Sequence, residues 1–186
     1  MVARPTPPLM TVDEYLQLER SGDTKHEYID GYVYAQAGGT KGHSVLGGNI
    51  VTAINNHLPA DGPCRVYNSD MRVRLSPTRY VYPDATVSCD ERDNAGDDEE
   101  DEIHYPRLIA EVLSKSTEEY DRTDKFELYA ACAPLQDYVL VNARRRSVHV
   151  YSRGENGAWT VRVYGPTEEI VLPSLDLRVP IADFYR

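Results

Sequence analysis

A mixed β-sheet flanked by helices, an α/β (α+β) domain, is the fold this chain predicts. Two patterns point to it. Apolar runs at 107–113 and 137–142 are separated by a helical stretch, as a parallel strand pair with a crossover requires. Elsewhere, short alternating stretches follow one another across tight turns, which makes extra antiparallel hairpins. The 186 residues suit one domain with one sizeable core. We place that domain at 11–186, after a loose Pro-rich segment at 1–10.

Taken in order, Thr11 and Glu14 form a capping box, so a helix should run to about Ser21, where Gly22 follows. Lys25–Ile29 and Tyr32–Ala37 flank Asp30-Gly31, a two-residue hairpin signal. After Gly38-Gly39, His43–Leu58 has the spacing of an amphipathic helix, with Val45, Leu46, Ile50, Ile54 and Leu58 on one side. Gly47-Gly48 inside it costs roughly 1 kcal/mol per glycine relative to alanine, which close packing would explain. Strands are expected at Cys64–Tyr67, Asp70–Leu75 and Tyr80–Ser88, then at Arg107–Leu113. Ser116 and Glu119 make a second capping box, opening a helix that Pro134 stops after about Ala133. Asp137–Asn142 is a strongly apolar strand. Arg144-Arg145-Arg146 forms a turn, and Val148–Tyr151, Trp159–Tyr164 and Ile170–Leu172 return as antiparallel strands. A last helical turn is expected at Pro180–Phe184.

Composition excludes several classes. No apolar run is long enough to span a bilayer, and the N-terminus lacks the apolar core of a secretion signal, so a cytoplasmic location with no membrane partner is expected. Cys64, Cys89 and Cys132 have no metal-ligand spacing, and their odd number favours reduced thiols. Gly38–Gly42 lacks the spacing and the following Ser/Thr of a P-loop. The net charge of −10 argues at first against a nucleic-acid ligand. Residues 90–102 hold nine acids and one arginine, however, and so supply eight of those charges. The rest of the chain is nearly neutral, and the acidic run reads as a solvated loop.

Chemistry is concentrated in two acids and a lysine. Asp84 follows Pro83 in an expected strand, and proline confines such a position to an edge, an end or a bulge, where side chains are often re-aimed toward a site. A surface carboxylate ending a strand is the plain alternative. Glu111 interrupts an apolar run that should be buried on both faces, and an ionised glutamate there needs a partner or a metal. Lys125 lies four residues after Asp121, a spacing that puts both on one helix face. That face either meets solvent or points back at Glu111; Lys115, in the preceding loop, competes for the second role. Two carboxylates on separate apolar strands with a lysine close behind are the parts of a magnesium-dependent phosphodiester hydrolase.

Several stretches together, MTVDEYLQLE, HEYIDGYVY, the helix containing His43, YVYPDATV, LIAEVLSKST and YDRTDKFELYAACAPLQDYVLVN, resemble the Uma family of restriction-type endonucleases in the PD-(D/E)XK nuclease superfamily. The similarity runs from about Met10 to Phe184. It implies a restriction-endonuclease-like fold, DNA as substrate, Mg²⁺ (or Mn²⁺ in its place) as cofactor, and a homodimer. It also implies Asp84, Glu111 and the Val112 carbonyl as metal ligands, with Asp84, Glu111 and Lys125 catalytic. Glu27, His43 and Asp121 would be accessory. The chain departs from the superfamily pattern where Leu113 replaces the lysine expected two residues after the glutamate; Lys125 on the next helix would take its place. Three readings stand open from the residues: a Mg²⁺-dependent endonuclease, a catalytically inactive binding or regulatory module on the same fold, and a dimeric structural protein in which Glu111 simply pairs with Lys125.

Overall fold

The computed structural model describes residues 9–36, 38–94, 101–114 and 118–186. The greater part of the expected loose segment, the middle of the acidic run, Lys115 and the Ser116 end of the second capping box lie outside the described residues.

Helix α1 (Val12–Ser21) opens on the Thr11–Glu14 capping box, each side chain accepting from the other residue's backbone N–H. Strands β1 (His26–Ile29) and β2 (Tyr32–Ala35) make the expected hairpin, with Asp30 and Gly31 at φ of 49° and 97°. Both angles are left-handed, as a tight two-residue hairpin turn demands. Helix α2 (Lys41–His57) is capped by the Thr40 hydroxyl, which accepts from the His43 N–H. It buries Leu46, Ile50 and Ile54, but Val45 is exposed and does not share their side. A Cβ added at Gly47 or Gly48 would meet nothing within 4 Å, so close packing is not the reason for that pair.

Beyond β3 (Arg65–Asn68) and β4 (Arg72–Ser76) the chain corrects an expectation. Tyr80–Ser88 is not one strand but two, β5 (Arg79–Val81) and β6 (Ala85–Ser88), and they belong to different sheets. The chain changes sheets through Tyr82-Pro83-Asp84, where a residue without an N–H costs no ladder bond. The described ends of the acidic run are also not a solvated loop. They contain the short helix α3 (Glu91–Asn94) and strand β7 (Glu102–Ile103). Buried Arg72 holds Asp101 at 3.0 Å and Glu102 at 3.2 Å, and Asp93 accepts from the N–H groups of His104 and Tyr105.

Strand β8 (Pro106–Leu113) runs parallel to β9 (Asp137–Asn142), joined through the expected helical crossover. Among the described residues the crossover holds two helices rather than one, α4 (Glu118–Arg122) and α5 (Asp124–Ala130), because Thr123 leaves helical geometry at φ −120° and ψ −93°. Then follow β10 (Val148–Arg153), β11 (Trp159–Tyr164), β12 (Glu169–Leu172), β13 (Leu177–Pro180) and α6 (Ile181–Phe184). Strand β13, which pairs with β12, has no counterpart in the sequence reading. The six-stranded sheet has the order β11-β10-β9-β8-β6-β3, and the five-stranded sheet β2-β1-β5-β4-β7.

Strand β8 lies between the two halves of the core. Its Leu108, Ala110 and Val112 pack with α2 and the β12–β13 hairpin, while Ile109 and Leu113 pack with Tyr129, Tyr138, Val73 and Val81. Burial on both faces explains its nearly continuous apolar sequence. A second correction concerns the cysteines. Cys64 and Cys89 form a disulfide across the ends of β3 and β6, and Cys132 is a buried free thiol. The antiparallel register, with Arg65 opposite Ser88, brings Cys64 and Cys89 level, a proximity that sequence spacing does not reveal. No helix among the described residues is long and apolar enough to cross a membrane.

Candidate functional site

Asp84 and Glu111 come together through strand register. Ala85 of β6 pairs with Ala110 of β8, and one step further along that register Asp84 is level with Glu111. Asp84 Oδ2 accepts from the Val112 N–H at 2.7 Å, so the first acid caps the strand that carries the second. The sheet change at Pro83 leaves Asp84 just ahead of its strand, in reach of both β8 and α2.

Lys125 arrives from α5, which packs over the Ile109–Leu113 face of β8. Its Nζ lies 2.8 Å from Glu111 Oε1 and 3.3 Å from Glu27 Oε1. Position 113, where the superfamily pattern has lysine, is filled by Leu113 in the core beneath α5. Tyr129, one helical turn after Lys125, donates its hydroxyl to the same Glu111 oxygen at 2.6 Å. The sequence reading missed Tyr129, although its i+4 spacing from Lys125 marks it as sharing the inward face. It also missed Gln36, whose amide donates to Glu27 Oε1 at 3.4 Å and to the Tyr82 carbonyl at 3.2 Å.

His43 belongs to the cluster: its Nε2 donates to Asp84 Oδ1 at 2.7 Å. Asp121 is buried nearby, and the Tyr138 hydroxyl donates to its backbone carbonyl. The helical i,i+4 relation expected between Asp121 and Lys125 does not hold, because Thr123 separates α4 from α5. Their proximity comes from packing instead, and the Asp121 charge still favours the Lys125 ammonium.

Electrostatics follow from four carboxylates gathered around two cations. Burial pushes the Glu111 carboxyl well above the usual carboxylate range; Lys125 opposes this, while Asp84 and Asp121 reinforce it. Burial works against the charge on Lys125, but Glu111 and Glu27 outweigh it and raise its pKa. The hydrogen bond to Asp84 raises the pKa of His43 against its partial burial. The cluster is rich in carboxylate oxygen, the donor element that a hard divalent cation takes. Among the described residues no group of three or more His, Cys, Asp or Glu side chains is placed to hold one metal ion. That is compatible with Mg²⁺, which commonly binds through one or two carboxylates and keeps several waters. Asp84 and Glu111 are the carboxylates of the cluster that could hold it.

Comparison with known proteins agrees with this architecture. A family model described as "Uma2: Putative restriction endonuclease" matches residues 12–182. The chain is 40% identical over 180 residues to the uncharacterized protein slr1290 of Synechocystis sp., covering 96% of this chain and 93% of that one. It is 30% identical over 172 residues to sll1609 of the same organism, also uncharacterized, covering 91% and 96%. A crystal structure from Anabaena variabilis, described as a putative nuclease belonging to DUF820, shares the fold at a TM-score of 0.75. It covers 95% of this chain and 97% of its own at 20% identity. With that match covering most of the chain, the chain belongs to the Uma2 family, the family described as putative restriction endonucleases.

Proposed function

We propose that this chain is a Mg²⁺-dependent endonuclease that hydrolyses phosphodiester bonds of DNA. The observation that carries the reading is convergence: acids from two neighbouring strands and a buried lysine from a helix meet at one point. Asp84, Glu111 and the Val112 carbonyl would hold the cation. When bound, Mg²⁺ supplies Lewis acidity toward a phosphate oxygen and makes an attacking water more acidic. The protein's own groups do the positioning. The Val112 N–H and His43 fix both oxygens of Asp84, so that carboxylate is oriented before any ligand arrives. Tyr129 and Lys125 orient Glu111 through a single oxygen, Oε1. Lys125 keeps its proton and brings a positive charge to where phosphate charge develops, a stabilisation that a water-poor site strengthens. Glu27 and Gln36 hold the far side of that ammonium. The proposal extends to a cytoplasmic homodimer, for which the exposed Val161 and Val163 on edge strand β11 offer an apolar surface.

Calorimetric Mn²⁺ titration paired with cleavage of mixed DNA substrates tests this. Wild type should bind Mn²⁺ and cut; Asp84→Ala and Glu111→Ala should lose both; Lys125→Ala should lose cleavage. One observation favours a second reading. Lys125 is already enclosed between Glu111 and Glu27, as a structural ion pair would be. A correctly folded wild type that binds no metal even with DNA present would establish that inactive module and remove the first reading.

A further inference from the structure

A cavity of about 610 Å³, within the range of small-molecule sites, has Glu27 in its wall. Its walls include Ile29, Tyr34, Tyr120 and Leu128. Tyr34 on β2 and Tyr120 on α4 are 51% and 38% exposed, two large rings from separate elements left facing one open space. The polar groups there are mainly carboxylates: Glu27, Asp124 and Glu127. The cation of the wall, Arg79, is already held by Asp30 through two hydrogen bonds of 2.9 and 2.7 Å.

We propose that this cavity seats an unpaired nucleobase, making single-stranded or locally unpaired nucleic acid the preferred substrate class. Carboxylates repel phosphate, so the part of a nucleotide that enters must be its uncharged, planar part. Tyrosine rings supply stacking surfaces that accept any base. Ile29 and Leu128 supply apolar contact, and the acids accept from the amino groups on base edges. Glu27 joins the cavity to the acid cluster, since its carboxylate contacts Lys125, which contacts Glu111. A base in the cavity therefore leaves its phosphodiester near the proposed reaction centre. A base stacked and paired inside a duplex cannot enter without being extruded. The placement of the phosphodiester rests on the nuclease reading; binding of the base does not.

The test is fluorescence anisotropy in EDTA, with a labelled mixed-sequence single strand and the matching duplex. Proteins compared are wild type, Tyr34→Ala, Tyr120→Ala and the corresponding phenylalanine variants. Wild type should prefer the single strand. Each alanine variant should weaken single-strand binding about ten-fold, the scale of one lost base–aromatic stack, while the phenylalanine variants stay close to wild type. Both tyrosines are exposed, so folding does not confound the result. Alanine variants that bind the single strand as wild type does would overturn the proposal, and so would a wild type that prefers duplex. No metal or cleavage enters this measurement. A wild type that binds as expected yet never cuts DNA with Mg²⁺ or Mn²⁺ would overturn the nuclease reading alone.

Discussion

Lys125 and Glu111 define the energetics of the centre. Each is almost wholly buried, and neither is tolerable there without the other. Removing the cation leaves Glu111 and Glu27 facing each other across the lost ammonium. In EDTA, Lys125→Met should therefore lose about 3–5 kcal/mol of stability to urea near pH 8. The deficit should depend on pH with a definite sign. Burial raises the folded-state pKa of Glu111, and the substitution removes the Lys125 charge that lowers it. A carboxyl raised in this way contributes stability that is fully present below its unfolded pKa and lost as pH rises through the folded one. Wild-type Glu111 is itself raised to about 8, so both proteins hold it protonated below that pH and the deficit should level off there; it should grow as pH rises from about 8 to about 10, where only wild type has a cation to pair with the ionised carboxylate. Unfolding curves at a series of pH values decide this. A flat deficit would mean that Glu111 is not the charge left uncompensated.

At the scale of elements, what the sequence reveals depends on how local the cause is. Helix α1, the Asp30-Gly31 hairpin and strand β9 were legible because capping, turn chemistry and an unbroken apolar run act within a few residues. Glu111 was legible for the same reason, as a single charge inside a buried strand. The sheet change at Pro83 was not, since only tertiary pairing assigns β5 and β6 to different sheets. Nor was the break at Thr123, where packing overrides a continuous helical pattern. Family resemblance alone singles out Glu27 and His43 in the sequence, and it is folding that carries them to Lys125 and Asp84. The cysteine pair shows the same limit, as 25 residues separate two thiols that strand register brings together. Closing a loop of that length should stabilise the domain by roughly 3 kcal/mol through the unfolded chain's entropy. Cys64→Ala/Cys89→Ala, and wild type in reductant, should both shift the urea midpoint downward by a similar amount. A double variant as stable as oxidised wild type would show that the bridge contributes nothing to the fold.

Over the whole molecule, charge is distributed against the proposed substrate. The net of −10 comes chiefly from one run, which in the chain lies between Asp84 and Glu111. Its flanks are part of the fold: Asp93 holds the backbone of His104 and Tyr105, and Asp101 and Glu102 neutralise buried Arg72. Deleting residues 92–101 would remove those contacts along with the charge, so substitution is the cleaner probe. Asp97→Asn, Asp98→Asn, Glu99→Gln and Glu100→Gln together remove four negative charges and leave Asp93 and Asp101 in place. If the run opposes a polyanion, this variant should bind DNA more tightly than wild type. The gain should be largest near 0.01 M salt, where charges act over about 30 Å, and small near 0.15 M, where they act over about 8 Å. Affinity measured across that salt series separates repulsion from a direct contact, which would instead weaken on substitution. Equal affinities at low salt would place the run away from the nucleic-acid path and leave its charge a matter of solubility alone.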